Sequence, residues 1–392
     1  MRVALIGPVY PFRGGIAHHT TMLARALAST ERVLVISFRR QYPRLLYPGR
    51  SDRDPSGEPL TVPAEYLLDA VNPLTWMRVA RRIEQYSAEV VVIQWWTTFW
   101  APAFAALARA SVNRGLPLLY LIHNVLPHET RFYDPWLARL ALREGTSFIV
   151  QSETEGKRLQ SLLPNSTIHT FEHPAYRMFT HQMVEAEDAR RHLGLPGEGV
   201  PIVLAFGIVR PYKGLRYLLE AIRVLRDRRE HVFLIVAGEF WEPKTFYLEL
   251  AERLGISSQV RFDDRYIPNE EVALLFSAAD AFVAPYVGGT QSGAVRLALG
   301  FGTPVVTTRP EDLPSSLPQS MGVLVKPRDS GALAEGIQRV LSTTRPSEDV
   351  PRTTPEEGIG EWGGLSKILR LYVKSHVRVS DSRSETLGER SQ

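Results

Sequence analysis

Short apolar runs alternating with helical repeats recur along most of the 392 residues, and they set the first expectation for the fold. In the first half the runs are Val3-Ala-Leu-Ile6, Arg32-Val-Leu-Val-Ile-Ser-Phe38, Val90-Val-Val-Ile-Gln-Trp-Trp96, Leu118-Leu-Tyr-Leu-Ile122 and Phe148-Ile-Val-Gln151, with a last short one within Ile168–Pro174. They are brief and rich in β-branched residues, which is the mark of buried strands. Between the first two, Thr20, Leu23, Ala24, Ala26 and Leu27 trace the inner side of a helix. Ser152-Glu-Thr-Glu155 has the capping-box form that starts another. The chain then turns charged and glycine- and proline-rich before the alternation resumes. A strand from Ile202 is followed by a helix carrying Leu215, Leu218, Leu219, Ile222 and Leu225, and by a strand over Phe233–Glu239. A helix through Leu254, a short strand at Val260–Phe262, a helix over Asn269–Ala278, a strand over Ala281–Pro285, a helix to Leu299 and a strand over Pro304–Thr308 complete the series.

Strands alternating with helices predict right-handed βαβ units and parallel sheets. The expected fold class is therefore α/β, with two doubly wound, Rossmann-like domains facing a cleft. The expected limits are residues 1–185 for the first domain, 186–200 for a linker, 201–350 for the second domain, 351–378 for a C-terminal helix, and 379–392 for a disordered Ser-, Arg- and Glu-rich tail.

Composition narrows the chemistry. An apolar share of 44% is that of a globular protein. The absence of cysteine excludes disulfides, thiolate nucleophiles and cysteine-ligated zinc. The net charge of +4 is concentrated early, since residues 1–180 hold 20 Lys and Arg against 14 Asp and Glu. That excess suits an anionic membrane surface or acceptor as well as a solvated face. It forms no continuous stripe, so nucleic acid is not an expected partner. Met1-Arg2 leads straight into a strand rather than a signal peptide, and the most apolar stretch, Val90–Ala110, is interrupted by Gln94, Thr97, Thr98 and Pro102. A cytoplasmic location, extending to the inner face of the cell membrane, is the expectation.

Candidate chemistry sits where strands end. Ile202–Phe206 breaks at Gly207 into a turn carrying Arg210 and Lys213 and closed by Gly214, and the carboxyl edge of an open parallel sheet is where ligands bind. A second turn places Gly288, Gly289 and Gly293 around Thr290, Gln291 and Ser292 at a helix start. Together the two suit a phosphorylated ligand. Gly14-Gly15 offers amides at another helix start, although a tight turn explains such a pair as well. His123-Asn124, with His128-Glu129 beyond, stands at the end of a strand. Trp95, Trp96, Phe99 and Trp100 can stack on a sugar or lipid, with core packing expected for at least two of them. The polar loop Arg39–Pro63 is long enough to be functional or mobile. Its Asp52-Arg-Asp54 has the Asp-x-Asp form of metal-dependent sugar transferases but follows no strand, so no metal site is expected there.

At these residues the chain resembles the family 4 retaining glycosyltransferases of the GT-B fold. The resemblance is carried by Pro11-Phe-Arg-Gly-Gly-Ile-Ala17, Arg210-Pro-Tyr-Lys-Gly214, Asp280-Ala-Phe-Val-Ala-Pro285, Gly302-Thr-Pro-Val-Val306, and Trp362 with Leu369 and Tyr372 on a helix that returns to the first domain. It implies transfer of a sugar from a nucleotide diphosphate-sugar with retention, without metal or cofactor, to a glycan, glycolipid or cell-envelope precursor. Peripheral membrane association is compatible with such an acceptor. Lys213 matches the diphosphate lysine, and Arg210 replaces the charge missing at Ile208. Gly14 and Gly15 match the loop that approaches the donor phosphates, and His123 the histidine near the reaction centre. Gly238, Glu239, Thr290, Gln291, Ser292 and Gly293 complete the implied donor set, and Trp95, Trp96, Asn124, His128 and Glu129 an acceptor side. In one respect the chain departs from the pattern: the Glu-x7-Glu pair would fall on Gly289 and Leu297, so Thr290-Gln-Ser-Gly293 stands as a variant. That departure keeps two alternatives open, a nucleotide-sugar 2-epimerase and a catalytically silent sugar- or nucleotide-binding protein.

Overall fold

The computed structural model describes residues 1–172, 174–289, 292–309, 313, 317, 321–342, 352–354 and 357–373. The chain divides into two compact units. The first is Met1–Leu46, Leu60–His173 and Ile359–Gln392, and the second is Tyr47–Pro59 and Pro174–Gly358.

In the first unit the elements run β1 (Arg2–Ile6), α1 (Gly15–Ala28), β2 (Arg32–Arg40), β3 (Glu65–Asp69), α2 (Pro73–Gln85), β4 (Val90–Trp95), α3 (Ala101–Val112), β5 (Leu118–Ile122), α4 (Asp134–Leu142), β6 (Ser147–Val150), α5 (Glu153–Leu162) and β7 (Ile168–Thr170). Among the described residues the strands form one parallel sheet in the order β3-β2-β1-β4-β5-β6-β7. The order reverses between β1 and β4, so the loops after these strands diverge and leave a crevice at their carboxyl ends. All six residues of β4 are buried, as a strand covered by helices on both faces requires. β3 and α2 carry no strong sequence signal, because β3 is a half-exposed edge strand and the polar α2 buries only Thr75, Val79 and Ile83. Asn72 caps α2 by accepting from the Leu74 amide, with Pro73 at its first position.

The second unit follows the same plan: α6 (Ala186–Leu193), β8 (Ile202–Phe206), α7 (Leu215–Asp227), β9 (Phe233–Ala237), α8 (Lys244–Arg253), β10 (Val260–Asp263), α9 (Asn269–Ala278), β11 (Ala281–Ala284), α10 (Gly293–Gly300), β12 (Val305–Thr307), β13 (Gly322–Leu324) and α11 (Ser330–Leu341). Its parallel sheet is ordered β10-β9-β8-β11-β12-β13, with the reversal between β8 and β11.

The domain limits differ from the expectation. Residues 186–200 are not a linker: α6 packs on α9, and its Arg190 is buried against Asp280 at 2.7 Å and the Ala278 carbonyl at 3.2 Å. Charged residues and nearby glycines mimic a linker where a half-buried ion pair is formed. The chain passes to the second unit at Pro174 rather than beyond 185, and Tyr47–Pro59 joins that unit too. Residues 351–358 stay with the second unit, where the Thr353 amide donates to Thr180 Oγ1 at 3.1 Å. From Ile359 the chain belongs to the first unit, and a helix over 363–373, α12, buries Leu365, Leu369 and Tyr372. The tail 379–392 lies outside the described residues. The Tyr372 hydroxyl pairs with Thr146 Oγ1, and burial pushes its pKa up to about 12.

Trp362 is fully buried and meets the His19 ring edge-on at 4.7 Å, so it fastens α12 to α1. Trp362→Ala is expected to cost about 3–5 kcal/mol by leaving a cavity. Urea unfolding followed by circular dichroism measures it, and a wild-type midpoint would show that α12 is not anchored there.

Candidate active site

In the second unit the site is assembled at the reversal between β8 and β11. The turn after β8 can descend tightly only because Gly214 has φ +68°, and a Cβ there would lie 2.1 Å from the Pro285 carbonyl oxygen. The Val287 amide then donates to the Tyr212 carbonyl at 2.8 Å and ties the two strand-end loops together. Lys213 Nζ consequently stands 5.4 Å from the centre of the Tyr286 ring. On the same ring lies the Arg309 guanidinium at 4.7 Å. The Tyr286 hydroxyl bonds Ser292 Oγ at 2.8 Å, and Ser292 caps α10 by accepting from the Val295 amide. Arg210 sits over Trp241 at 5.2 Å and Tyr212 at 5.7 Å. Two cations and a helix start therefore surround the Tyr286 ring, with a third cation on the neighbouring Tyr212 and Trp241 rings, an arrangement suited to a multiply charged anion.

Arg309 and Tyr286 were not among the expected site residues. The rule that found Lys213 applies to them equally, since Arg309 follows β12 and Tyr286 follows β11 at the same sheet edge. Gly293 begins α10, while Thr290 and Gln291 lie outside the described residues. Gly238 approaches the backbone of the Gly207 turn, where its Cβ would lie 2.2 Å from the Gly207 carbonyl oxygen. Glu239 is buried and accepts from the Arg50 amide at 2.5 Å. The absent glutamate at Gly289 also has a physical reason. With φ +97°, a Cβ there would stand 3.2 Å from Tyr212 and 3.3 Å from Arg309, so the space is taken by other side chains.

In the first unit a buried polar cluster lies at the carboxyl ends of β4, β5 and β6. His123 follows β5 and its amide donates to the Trp95 carbonyl at 2.8 Å. Its Nε2 is 2.5 Å from Oε1 of Gln94, a fully buried residue of β4; the carboxamide oxygen accepts, so the ring hydrogen is on Nε2. Gly7 makes room for Gln94, since a Cβ there would lie 2.7 Å from Gln94 Cγ. His19 from α1 meets His123 edge-on at 4.6 Å, and Gln151 Nε2 stands 3.1 Å from His19 Nε2. Burial pulls the His123 pKa down to about 3, against a weaker upward pull from Gln151, so the imidazole is neutral at ordinary pH. His19, Gln94 and Gln151 escaped the sequence reading because a polar residue within an apolar run shows no partner until strands are in register. The His123 turn is pinned from below, where Glu155 accepts from the Val125 amide at 2.6 Å. Ser152 caps α5 by accepting from the Glu155 amide, and Glu155 also pairs with Arg158 at 2.8 Å.

Two expected acceptor residues are corrected. Trp95 is wholly buried, donates its indole N–H to the Val125 carbonyl at 3.2 Å, and belongs to the core. Trp96 is also buried in that core and donates to the Tyr42 hydroxyl at 2.9 Å, so neither presents a face to a ligand. Asn124 and His128 are half-buried and Glu129 exposed on the loop after His123. Gly14 and Gly15 open α1, with space around both where a side chain would be. Asp52 and Asp54 form no metal cluster, and Asp54 Oδ1 accepts from the Ser56 amide at 2.9 Å and the Ser56 hydroxyl. Among the described residues no group of acidic or histidine side chains could hold a metal, and no helix is long and apolar enough to cross a membrane.

Comparison with known proteins matches both halves. Residues 14–172 fit the model of the glycosyl transferase 4-like domain and residues 200–343 that of glycosyl transferases group 1. The chain thus belongs to the glycosyltransferases of GT-B fold. It is similar to D-inositol 3-phosphate glycosyltransferase of Corynebacterium glutamicum, with 30% identity over 40% of this chain and 38% of that one. With GDP-mannose:glycolipid 4-beta-D-mannosyltransferase of Xanthomonas campestris it shares 29% identity over 49% of this chain and 50% of that one. The matched region therefore spans half or less of these curated relatives. Among solved structures, sucrose-phosphate synthase of Thermosynechococcus elongatus superposes with a TM-score of 0.65 at 19% identity, covering 98% of this chain and 99% of that one. HepE of Anabaena in complex with UDP-glucose superposes with a TM-score of 0.64 at 17% identity, covering 97% and 100%.

The lowered pKa of His123 has a sign that can be tested. The unfolded chain takes up a proton near pH 6.5 and the folded ring does not, so stability is intact above about 6.5 and erodes as pH falls towards about 3. Imidazole resonances are expected to keep His123 neutral down to about pH 4, and a titration midpoint near 6.5 would contradict its burial.

Proposed function

We propose that the protein transfers a sugar from a nucleoside diphosphate-sugar to a glycan, glycolipid or cell-envelope precursor, with retention at the anomeric carbon. The observation that carries the reading is the grouping of Lys213 and Arg309 on the Tyr286 ring, whose hydroxyl holds the residue that starts α10. A diphosphate placed there meets fixed positive charge at the oxygens where negative charge grows as the glycosidic bond breaks. Such preorganised charge favours the transition state over the bound donor, because the leaving group is more negative than the intact diester. No metal is needed for that step when cations already supply the charge.

No carboxylate nucleophile is required either. In this reading the acceptor hydroxyl gives its proton to the departing phosphate on the face from which the donor leaves, which preserves configuration. His123, held neutral with a hydrogen on Nε2 and its orientation set by Gln94, acts as a hydrogen-bonding contact and not as a proton donor. Relatives named for a glycolipid and for inositol phosphate, and a structural neighbour bound to UDP-glucose, support the donor class and leave both base and acceptor open. A lipid-linked acceptor would bring the protein to the cytoplasmic face of a membrane as a peripheral visitor.

Lys213→Ala is expected to lower turnover by about 100-fold or more with the fold unchanged by circular dichroism. Undiminished transfer in that variant would remove Lys213 from the mechanism. Product NMR reads retention from the anomeric coupling constant, and donor incubated without acceptor should keep its configuration at C2. Conversion of the donor alone would instead identify an epimerase.

A further inference from the structure

The loop after β2 has no task in the transfer described above, and the structure supplies one. The chain leaves the first unit after Leu46, contributes Tyr47–Pro59 to the second, and rejoins the first at Leu60. Within the second unit this strap is fastened at both ends. The Arg50 amide donates to Glu239 Oε1 at 2.5 Å, and its guanidinium reaches the Asp264 carbonyl at 3.0 Å and Oδ2 at 2.8 Å. Further along, Ser56 Oγ accepts from the Asn269 amide at 2.9 Å and the Gly57 amide donates to Glu270 Oε1 at 3.0 Å. Asp54 holds Ser56 in place from inside the strap. The anchors lie beyond β9, beyond β10 and at the start of α9, all on one side of the site.

The strap also reaches the cations. Tyr47 meets the Trp241 ring edge-on at 5.5 Å, and Trp241 in turn carries Arg210 at 5.2 Å. A diphosphate held by Arg210 and Lys213 has two different surroundings at its ends. Towards Tyr286 and Ser292 there are hydroxyls, which suit a sugar. Towards Arg210 there are flat rings, Trp241 and Tyr212, which suit a planar base, and Glu239, two residues before Trp241, offers a carboxylate for its polar edge. Glu239 is fixed there by a backbone amide of the strap, and Trp241 is flanked by a strap ring.

We propose that Tyr47–Pro59 forms the outer wall of the nucleoside end of the donor site, acting through Tyr47 and Arg50 on Trp241 and Glu239. The proposal rests on the reading of Arg210 and Lys213 as the diphosphate grip. It assigns the strap to recognition of the base and not of the phosphates.

The test compares binding of UDP, GDP and inorganic pyrophosphate by calorimetry in the full chain, in Tyr47→Ala/Arg50→Pro and in Lys213→Ala. Proline removes the amide that holds Glu239. The strap variant is expected to bind its preferred nucleoside diphosphate about ten-fold more weakly or worse, on the scale of one base stack, with pyrophosphate affinity unchanged. Equal losses for both ligands, or no loss for either, would overturn the wall. Lys213→Ala is expected to weaken both ligands together. If it weakens neither, the diphosphate grip itself fails, which is a separate result. Should the proline variant not fold, Tyr47→Ala alone is held to the same difference. Trypsin provides an independent reading in the wild type, where UDP or GDP should slow cleavage after Arg50 and Arg53 while pyrophosphate does not. Equal protection by pyrophosphate would contradict the assignment.

Discussion

Two backbone approaches too close for any side chain hold the carboxyl edge of the second sheet together. Gly214 lies against the Pro285 carbonyl and Gly238 against the Gly207 carbonyl. Both have positive φ, so an L side chain is excluded twice, by conformation and by space. These contacts bring the loops after β8, β9 and β11 within reach of one another, and Lys213, Tyr286, Arg210 and Trp241 meet because of them. The cations are thus held together by main-chain packing against their mutual repulsion, which would push them apart. Aromatic faces between them make the arrangement tolerable, since each ring offers negative potential to the cation above it.

The first unit solves the opposite problem. It buries polar side chains, His123, Gln94, His19 and Gln151, in a setting where a charge would be expensive. Gln94 and Gln151 supply partners, Gly7 supplies room, and Glu155 holds the turn that follows His123. The outcome is an imidazole whose charge does not vary with ordinary pH and whose hydrogen faces a defined oxygen. Trp362 closes the cluster over His19, so the chain's last described helix is part of the same packing.

The strap connects these themes. Arg39–Pro63 reads as a long polar loop, functional or mobile, because the partners of Arg50 and Ser56 are distant in sequence. Arg50 finds Glu239 and Asp264, and Ser56 finds Asn269, at separations of about two hundred residues. The Asp-x-Asp within it is explained by turn geometry, with Asp54 bonded to Ser56 and Asp52 3.5 Å from Arg53.

Much of the fold was determined locally. Runs such as Val90–Ile93 and Phe233–Ala237 are apolar on every position, and only strands covered on both faces need that, so a parallel α/β plan followed directly. Arg210, Lys213, Ser292 and His123 were legible for the same reason: parallel strands all end on one edge, so residues just past a strand are brought there whatever their partners. What the sequence could not decide was pairing across distance. That Trp95 and Trp96 would be core, that Arg190 would anchor a helix instead of solvating a linker, that Arg309 would share a ring with Lys213, and that Tyr47–Pro59 would pack in the second unit all depend on which surfaces meet. A side chain's type is written in the chain, but its environment is a property of packing, and burial, partner and charge state are set only there.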